Sequence, residues 1–276
     1  MSALDLANSP LGQRSIYTNS YDASLLFPIS RQPKRTAIHI AQPLPFKGYD
    51  IWTAFELSWL NENSKPLVAM ADIIIPCDSP NIVESKSLKL YLNSLNNTHF
   101  TSTNEVLQTL ISDLSEASGA KVDVKIYLPN EITSIQFAQF DGFCLDELDI
   151  SCLEYKVNAK LLKCNDEQIT NYSVYSHLLK SNCPVTGQPD WGSIFINYSG
   201  ARINNESLLQ YLVSFRHHNE FHEQCVERIF MDLMSHCKPD ELVVYARYTR
   251  RGGIDINPIR STKAILPPKN TRLYRQ

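Results

Sequence analysis

The chain has 276 residues, of which 43% are hydrophobic and 20% are charged, a composition typical of a globular protein. Its 26 basic and 29 acidic residues give a net charge of −3, so the bulk charge gives no reason to expect nucleic acid as a direct ligand. No apolar run approaches the roughly 20 residues of a membrane-spanning helix, and we expect no membrane partner. The length suffices for one large domain or two of about 130 residues.

The first half of the chain begins with residues 1–44, whose proline, asparagine and serine content suggests an extended arm packed on the surface. A strand is expected around 67–75. The stretch 87–95 is the first of two expected helices, and the second covers 104–117, where apolar residues recur at helical spacing. The alternating run 122–128 then predicts another strand.

The second half repeats this order. Residues 87–95 and 207–215 share the pattern S-L-x-x-Y-L-x-S-apolar, offset by 120 residues (207 minus 87). Strand-like residues 193–198 precede the second copy, and an apolar periodic stretch over 220–236 and an alternating run over 242–248 follow it. The same elements in the same order indicate a duplicated unit.

Two halves built of strand, strand, helix pair and strand favour an α+β fold, in which each antiparallel sheet carries helices on one face. The boundary is expected between Pro129 and Thr170, and we place it after residue 135. The sequence therefore predicts an N-terminal half, 1–135, and a C-terminal half, 136–276.

The cysteines form no CxxC pair and have no zinc-finger spacing. They are seven in number: Cys77, Cys144, Cys152, Cys164, Cys183, Cys225 and Cys237. Reduced thiols in a cytoplasmic protein are the simplest explanation. His217, His218 and His222 raise the question of a metal site, but no acidic or thiol ligand is obviously placed to complete it, so we expect no bound metal.

Cys183 is followed seven residues later by Asp190, with two prolines and a glycine between them. These three residues fix or bend the backbone, so the two side chains could converge. A thiol becomes a strong nucleophile when its pKa falls from about 8.5, and a nearby acid can move protons for it. The alternative is that Cys183, like most single cysteines, is a small buried hydrophobe.

Two basic clusters are candidates for binding phosphate. Lys86 and Lys89 lie three apart, with Ser85 at the start of a possible helix, and a helix N-terminus favours anions. The cluster 250–253 places two arginines beside two flexible glycines, which would let the backbone approach a phosphate closely. A solvated helix face and a charged hairpin turn are the alternatives. The chain has neither GxGxxG nor GxxxxGK[ST], so a phosphorylated cofactor would not be bound by a Rossmann fold or a P-loop.

His222 and Glu223 open the second helix of the second half. Glu223 could accept two hydrogen bonds from an amidine-like edge such as the N–H groups of a guanine. His222 could donate or relay protons near neutral pH. Alternatively, a glutamate near a helix start is simply favourable with the helix dipole.

These motifs resemble the NADPH-dependent nitrile reductases, or 7-cyano-7-deazaguanine reductases, of queuosine biosynthesis, in their long bimodular form. The string E-S-K-x-x-K at 84–89 matches the signature of that family. Further matches are the segments 181–192, 215–223 and 248–258. The resemblance covers roughly residues 45–262, with the motifs in the family's order.

The resemblance implies a tunnelling fold (T-fold), in which antiparallel sheets with helices on one side assemble into barrels. Two tandem copies would make up the chain, and the protein would be a homodimer.

The resemblance also implies roles for the residues of the second half. Cys183 would attack the nitrile carbon of the deazapurine and form a covalent thioimide, and Asp190 would be the general acid that protonates the nitrogen. His222 and Glu223 would hold the deazaguanine, with Glu223 reading its N–H edge. Two NADPH molecules would then reduce the nitrile to the aminomethyl group.

The remaining residues implied by the resemblance lie outside this second-half cluster. Val83, Glu84 and Ser85 would add substrate contacts. Ser85 and Lys86 would lie at the NADPH, and Arg251 and Gly252 would complete the cofactor site.

Three alternatives remain open at the level of the sequence. A nitrile hydrolase would form the same thioimide on Cys183 and release it with water, although it would have no use for the basic clusters. A non-catalytic purine or pterin binder with the same fold would leave the thiol unmodified. A peptidase using Cys183 and His222 is the third.

Overall fold

The computed structural model describes residues 18, 20–131 and 137–276. These residues form two compact units. The first takes the described residues within Met1–Ala37, Asp50–Gln136 and Arg250–Asp255, and the second takes those within Ile38–Tyr49, Phe137–Thr249 and Ile256–Gln276. No helix of the described part of the chain is long and apolar enough to cross a bilayer.

The first unit combines a two-stranded sheet, a further set of three neighbouring strands and three helices. Its strands are β1 (Pro28–Ser30), β2 (Lys47–Leu60, of which residues 50–60 belong here), β3 (Pro66–Pro76), β4 (Asn81–Val83) and β5 (Asp123–Tyr127). Its helices are α1 (Gln32–Ala37), α2 (Ser85–Ser94) and α3 (Thr103–Ser118). Strand β1 pairs antiparallel with β4, and β3 pairs antiparallel with β5 and neighbours β2.

The second unit is built on one larger sheet. Its strands are β6 (Phe143–Cys144), β7 (Cys164–Asn182), β8 (Pro189–Ile203), β9 (Glu241–Tyr248) and most of β10 (Ile254–Ser261), and they are neighbours in that order. Strands β7 to β10 pair antiparallel, whereas the short β6 pairs parallel with β7. Two helices follow β8: α4 (Asn205–Val213) and α5 (His222–His236).

The helices form where the sequence places apolar residues at helical spacing. In α3, Ser102 accepts a hydrogen bond from the Glu105 N–H and Gly119 ends the helix at a φ of 72°, because glycine adopts the left-handed conformation without strain. In α5, the buried face carries Val226 and Ile229, with Phe230 and Leu233. This is the apolar face predicted from the sequence.

Helix α5 begins at His222, as expected, two residues into the apolar periodic stretch over 220–236. The reason is a backbone pairing, because the Glu220 N–H donates to the Asn182 carbonyl at 3.1 Å. Glu220 is thereby held next to the end of β7, and the first helical turn starts after it.

The internal repeat reappears as repeated hydrogen bonds. In α2, the Ser94 hydroxyl donates to the Tyr91 carbonyl at 2.6 Å, and in α4 the Ser214 hydroxyl donates to the Tyr211 carbonyl at 2.6 Å. The two tyrosine hydroxyls also have equivalent acceptors on the following helix. Tyr91 donates to Asp113 at 2.5 Å, and Tyr211 donates to Asp232 at 2.7 Å.

The α+β class and the antiparallel sheets are confirmed, and each expected strand and helix is present within a few residues of its predicted bounds. The division into halves at residue 135 stays a prediction. The expectation of an extended arm over 1–44 falls partly on residues 1–17 and 19, which lie outside the described residues. The described rest of that segment includes β1 and α1.

Candidate active site

The hairpin of β7 and β8 carries the predicted nucleophile and acid. Ser181 on β7 lies directly opposite Asp190 on β8, and Asn182 lies opposite Pro189. Cys183 follows at the end of β7, two residues beyond Ser181. The seven-residue separation therefore corresponds to one hairpin turn, with Asp190 on the strand next to the one that ends at the thiol.

The turn itself is held by backbone hydrogen bonds. The Cys183 N–H donates to the Gln188 carbonyl at 2.9 Å, and the Gly187 N–H donates to the Cys183 carbonyl at 3.1 Å. Gly187 has a φ of 67°, a value that glycine adopts without the cost that a side chain would bring. Both candidate side chains are nearly enclosed, with Cys183 4% and Asp190 8% exposed.

The end of β7 is tied to the segment that leads into α5. The Asn182 N–H donates to the His218 carbonyl at 2.8 Å, and the Asn182 carbonyl accepts from the Glu220 N–H at 3.1 Å. This short parallel bridge between Asn182 and Asn219 fixes the start of α5 beside the strand that carries Cys183.

His222 is the first residue of α5 and contacts both neighbouring strands. Its imidazole stacks on the Tyr248 ring of β9, with 3.9 Å between ring centroids and 28° between planes. Its Nε2 atom lies 3.4 Å from Asp190 Oδ2, although that nitrogen makes no hydrogen bond of good geometry. Catalytic hydrogen bonds are often this long in the ligand-free state and shorten when substrate is bound.

Glu223 is the next residue in the first turn of α5 and is 2% exposed. A carboxylate at this position is favoured by the N-terminal end of the helix dipole. Gln224 follows it and is 4% exposed, and its amide oxygen and nitrogen have no hydrogen-bond partner among the described residues. Buried polar groups of this kind usually have a partner, so this end of α5 has donor and acceptor capacity to offer a ligand.

The thiol of Cys225 and the hydroxyls of Ser181 and Tyr248 form a buried group next to His222. Burial raises the pKa of Cys225 to about 12, so this cysteine stays protonated near neutral pH. The hydroxyls of Ser181 and Tyr248 are its polar neighbours, but neither makes a hydrogen bond of good geometry. Sequence reasoning assigned no role to any of these three residues, and their proximity follows from strand register.

Glu220 is a structural carboxylate at the edge of the site. It is 1% exposed, accepts from Arg228 Nε and Nη2 at 3.0 Å each, and contacts His218 Nε2 at 2.8 Å. Burial acts to raise the pKa of Glu220, but the hydrogen bonds from His218 and Arg228 and the arginine charge outweigh it and lower the pKa to about 2.

The first unit contains the other group of predicted residues, beginning at α2. Glu84 is fully buried and caps this helix, accepting from the Lys86 N–H at 2.7 Å and the Ser87 N–H at 2.8 Å. Burial raises its pKa, and the two backbone hydrogen bonds and the Lys89 charge oppose that rise.

The Glu84 cap occupies the helix start that was expected to bind an anion. Because two of its N–H groups already donate to Glu84, an anion bound here would depend on side chains rather than on those groups. Lys86 and Ser85 are partly exposed and can supply them, whereas Val83 is buried in β4.

The 250–253 cluster forms a tight turn between β9 and β10. The Arg251 N–H donates to the Ile254 carbonyl at 2.9 Å, and Gly252 and Gly253 have φ values of 60° and 78°. The turn is fixed to β2, because the Phe55 N–H donates to the Gly253 carbonyl at 2.8 Å and the Arg250 guanidinium lies 4.6 Å over the Phe55 ring.

The structure brings the two basic clusters together. A Cβ atom placed on Gly252 would lie 3.0 Å from Cε and 3.2 Å from Nζ of Lys89, so the lysine side chain runs along this glycine. Lys89 and Gly252 line a cavity of about 100 Å³ with Glu56, Leu92, Asn93, Asn96, Gly253 and Ile254. The ammonium group, the side-chain amides and the exposed glycine backbone suit a phosphorylated ligand, whereas the Glu56 carboxylate of the same lining opposes an anion.

The predicted site residues thus form one group in each unit. Cys183, Asp190, His222 and Glu223 belong to the second unit, and Val83, Glu84, Ser85, Lys86, Arg251 and Gly252 belong to the first. Lys89 was recognised as a phosphate candidate in the sequence, whereas Glu56 was not, and no motif signals it.

Comparisons with known proteins identify the class as that of the nitrile reductases. Residues 17–126 match the family model described as "Nitrile reductase, 7-cyano-7-deazaguanine-reductase N-term", and residues 189–265 match the model described as "QueF-like protein". A solved structure of the archaeosine synthase QueF-Like in the apo form is 15% identical and covers 38% of this chain and 100% of its own. Its TM-score of 0.31 is too low to bear on the fold.

Curated relatives identify the particular family. The chain is 57% identical to the NADPH-dependent 7-cyano-7-deazaguanine reductase of Cupriavidus taiwanensis, over 98% of each chain. It is 55% identical to the enzyme of that name from Albidiferax ferrireducens, again over 98% of each chain. The chain therefore belongs to the NADPH-dependent 7-cyano-7-deazaguanine reductase family.

Proposed function

We propose that this protein reduces the nitrile of 7-cyano-7-deazaguanine to the aminomethyl group with NADPH, through a thioimide on Cys183. The observation that carries the proposal is the 3.4 Å approach of His222 to Asp190, on the strand next to the one that ends at Cys183. This approach supports a site in which a nucleophile and an acid from one hairpin lie near a base from the start of α5.

The nitrile is a poor hydride acceptor, because the nitrogen anion that would develop on it is unstable. Addition of the Cys183 sulfur to the nitrile carbon forms an S–C bond, and the thiol proton reaches the nitrogen, which gives a C=N bond that is more electrophilic. Asp190 is the group that moves this proton, and His222 at its side holds or resupplies it.

Each of the two reductions would use one hydride, which carries two electrons, from one NADPH. The nitrile, two NADPH and two protons give the primary amine and two NADP⁺, and the Cys183–carbon bond breaks at the first reduction to regenerate the thiol. Cys183 and Asp190 are almost fully enclosed, which favours the exclusion of water that would hydrolyse the thioimide or the imine.

Glu223 is the residue we assign to the N–H edge of the deazaguanine, because a buried carboxylate offers two acceptor oxygens to paired donors. Val83, Glu84 and Ser85 are assigned further substrate contacts. Ser85 and Lys86 of α2, with Arg251 and Gly252 of the turn, are assigned to NADPH, and the Lys89–Gly252 contact supports a phosphate site there.

We further infer that the protein acts in queuosine tRNA-modification biosynthesis, in the cytoplasm and as a homodimer. Seven free cysteines among the described residues are typical of a reducing compartment. Light scattering on the purified chain measures the oligomeric state, and a monomeric mass would overturn the dimer.

The deciding experiment follows NADPH absorbance while the protein is mixed with 7-cyano-7-deazaguanine. The variant Cys183→Ala is measured in parallel, with Cys164→Ala as the matched control because Cys164 is exposed. We expect about two NADPH consumed per nitrile in the wild type and the control, and none in Cys183→Ala.

The competing functions give different results in the same experiment. A hydrolase would release the amide or acid without NADPH consumption, and a binding protein would do neither and leave Cys183 without added mass. Either result would overturn the reductase.

A further inference from the structure

The residues around His222 include one aromatic ring that the proposed chemistry does not use. Tyr248, at the end of β9, is fully buried and stacks on the His222 imidazole at 3.9 Å between centroids. The hydroxyl of this tyrosine has no hydrogen-bond partner of good geometry. Its ring face is the part that contacts His222.

Strand register places Tyr248 on the same face as the predicted acid. Tyr248 lies directly opposite Gly192 of β8, and Asp190 is two residues before Gly192 on that strand. Residues two apart on a strand share a face, and directly opposed residues share it too. Asp190 and Tyr248 therefore project toward the same side of the sheet, where His222 begins α5.

Gly192 makes room for the tyrosine ring. A Cβ atom on Gly192 would lie 3.2 Å from Cδ1 and 3.3 Å from Cε1 of Tyr248, which is closer than ordinary van der Waals contact. The ring thus contacts the bare backbone of Gly192 as well as the imidazole of His222. A side chain at position 192 would displace the ring or its neighbours.

We infer that Tyr248, seated on Gly192, is a positioning residue that fixes the imidazole plane of His222 so that Nε2 faces Asp190. A stacked ring permits little rotation of its neighbour out of the plane, and aromatic pairs contribute favourable energy beyond their buried area. This inference rests on the proposed function, because Asp190 and His222 are its proton-transfer pair. Tyr248 itself acts only through His222.

The test compares two replacements of the same tyrosine. Tyr248→Phe keeps the ring, and we expect its kcat to stay within about threefold of the wild type, because stacking depends on the π face. Tyr248→Leu keeps apolar bulk but loses the ring, and we expect its kcat to fall about 100-fold, the usual cost of a small misplacement of a catalytic group. Mass spectrometry of Cys183 should still detect the thioimide in both variants.

Tyr198→Leu is the matched control, because Tyr198 is a 1% exposed tyrosine on β8, away from the proposed site. It should lose stability as Tyr248→Leu does but keep its kcat per folded molecule. Equal kcat losses in the two leucine variants would reduce Tyr248 to a packing role and overturn the inference. An unchanged kcat in Tyr248→Leu would overturn it as well.

A second measurement does not depend on turnover. NMR spectra are recorded of protein labelled at histidine, and the ring resonance of His222 is assigned by its loss in His222→Gln. This resonance should shift in Tyr248→Leu and in Gly192→Ala. It should not shift in Tyr198→Leu. An unshifted resonance in Tyr248→Leu would overturn the inference even if the wild type consumed no NADPH. Absence of NADPH consumption in the wild type, with the shift present, would overturn the proposed reduction and leave the positioning of His222 standing.

Discussion

Asp190 and His222 approach to 3.4 Å between Oδ2 and Nε2, although they lie on different elements, β8 and α5. The contact depends on the pairing of Asn182 with residues 218–220, which sets the start of α5 against the end of β7. Both side chains are largely enclosed, at 8% and 14% exposure. Such a pair can hold and transfer one proton without solvent competing for it.

Asp190→Ala should separate adduct formation from reduction. We expect thioimide formation on Cys183 to slow, because Asp190 moves the proton in that step, but still to be complete within minutes. NADPH consumption should fall at least about 100-fold, because general acid catalysis contributes that much or more. The adduct is measured by intact mass and the reduction by absorbance. The control is Asp166→Ala, at an exposed position on β7, which should keep the rates of adduct formation and of NADPH consumption. Fast turnover in Asp190→Ala would remove Asp190 from the mechanism.

Lys89→Ala should weaken NADPH binding more than it slows turnover. Because Lys89 lies along Gly252 in a cavity with two asparagines, its loss removes a charge-assisted contact worth about 1.5–3 kcal/mol, or roughly 10- to 150-fold in affinity. The expected result is a higher KM for NADPH with a smaller change in kcat.

Lys125→Ala is the control for this experiment. Lys125 lies 4.7 Å over the Tyr127 ring in the same unit and has no assigned ligand, so its KM should match that of the wild type. An unchanged KM in Lys89→Ala would remove the α2 lysine from the cofactor site.

The sequence predicted the helices and the turn between Cys183 and Asp190 best. Apolar spacing placed α3 and α5 within two residues of their observed bounds, since burial of one helix face is a local and periodic property. The turn was predictable because two prolines and a glycine mark it chemically, whereas the chemical roles of Cys183 and Asp190 stay predictions.

Other features depended on long-range pairing that spacing does not encode. Between Ser176 and Leu179, β7 advances three residues while β8 advances two, from Ile194 to Gly192. This bulge decides which face Ser181 and Asp190 share, because a one-residue slip exchanges the two faces of a strand. The stacking of Tyr248 on His222 depends on that register, so no local motif reveals it.

The Glu84 cap was missed for a different reason. Serine was taken as the start of the helix, but the preceding glutamate supplies the acceptor for Lys86 and Ser87. In the second half, the corresponding cap is Asn204, which accepts from the Ser207 N–H at 2.9 Å. The repeat thus preserves the cap while changing its charge.

Replacement of the two repeated tyrosines tests this correspondence between the halves. Tyr91→Phe and Tyr211→Phe each remove a hydroxyl that donates to an aspartate of the next helix. Each should lower the free energy of unfolding by about 1–3 kcal/mol, because a partly buried carboxylate loses a donor. The loss should be the smaller one for Tyr91→Phe, since Asp113 also accepts from the Tyr21 hydroxyl at 2.8 Å. Urea unfolding measures the loss. The control is Tyr274→Phe, at a 59% exposed position, which should leave the free energy of unfolding unchanged. A loss in only one of the two halves would argue against equivalent roles for the two tyrosines.

Glu220 should make the stability of the second unit dependent on acidity. Its pKa of about 2 lies below its ordinary value of 4.5, so the folded state holds the ionised form more strongly than the unfolded state does. The resulting stability is fully present above pH 4.5 and is lost as the pH falls toward 2. A lowering of this size corresponds to about 3 kcal/mol.

Glu220→Gln tests this dependence directly, because glutamine keeps the shape of the side chain but cannot ionise. The difference in unfolding free energy between wild type and variant, measured by urea at a series of pH values, should be largest above pH 4.5 and should shrink as the pH falls toward 2. Replacing the exposed Glu206 by Gln should give a small difference that hardly varies over the same range. If the difference in unfolding free energy for Glu220→Gln stayed constant with pH, the contacts with Arg228 and His218 would stabilise the fold by packing alone. Only a carboxylate that ionises can link the strength of these contacts to proton binding.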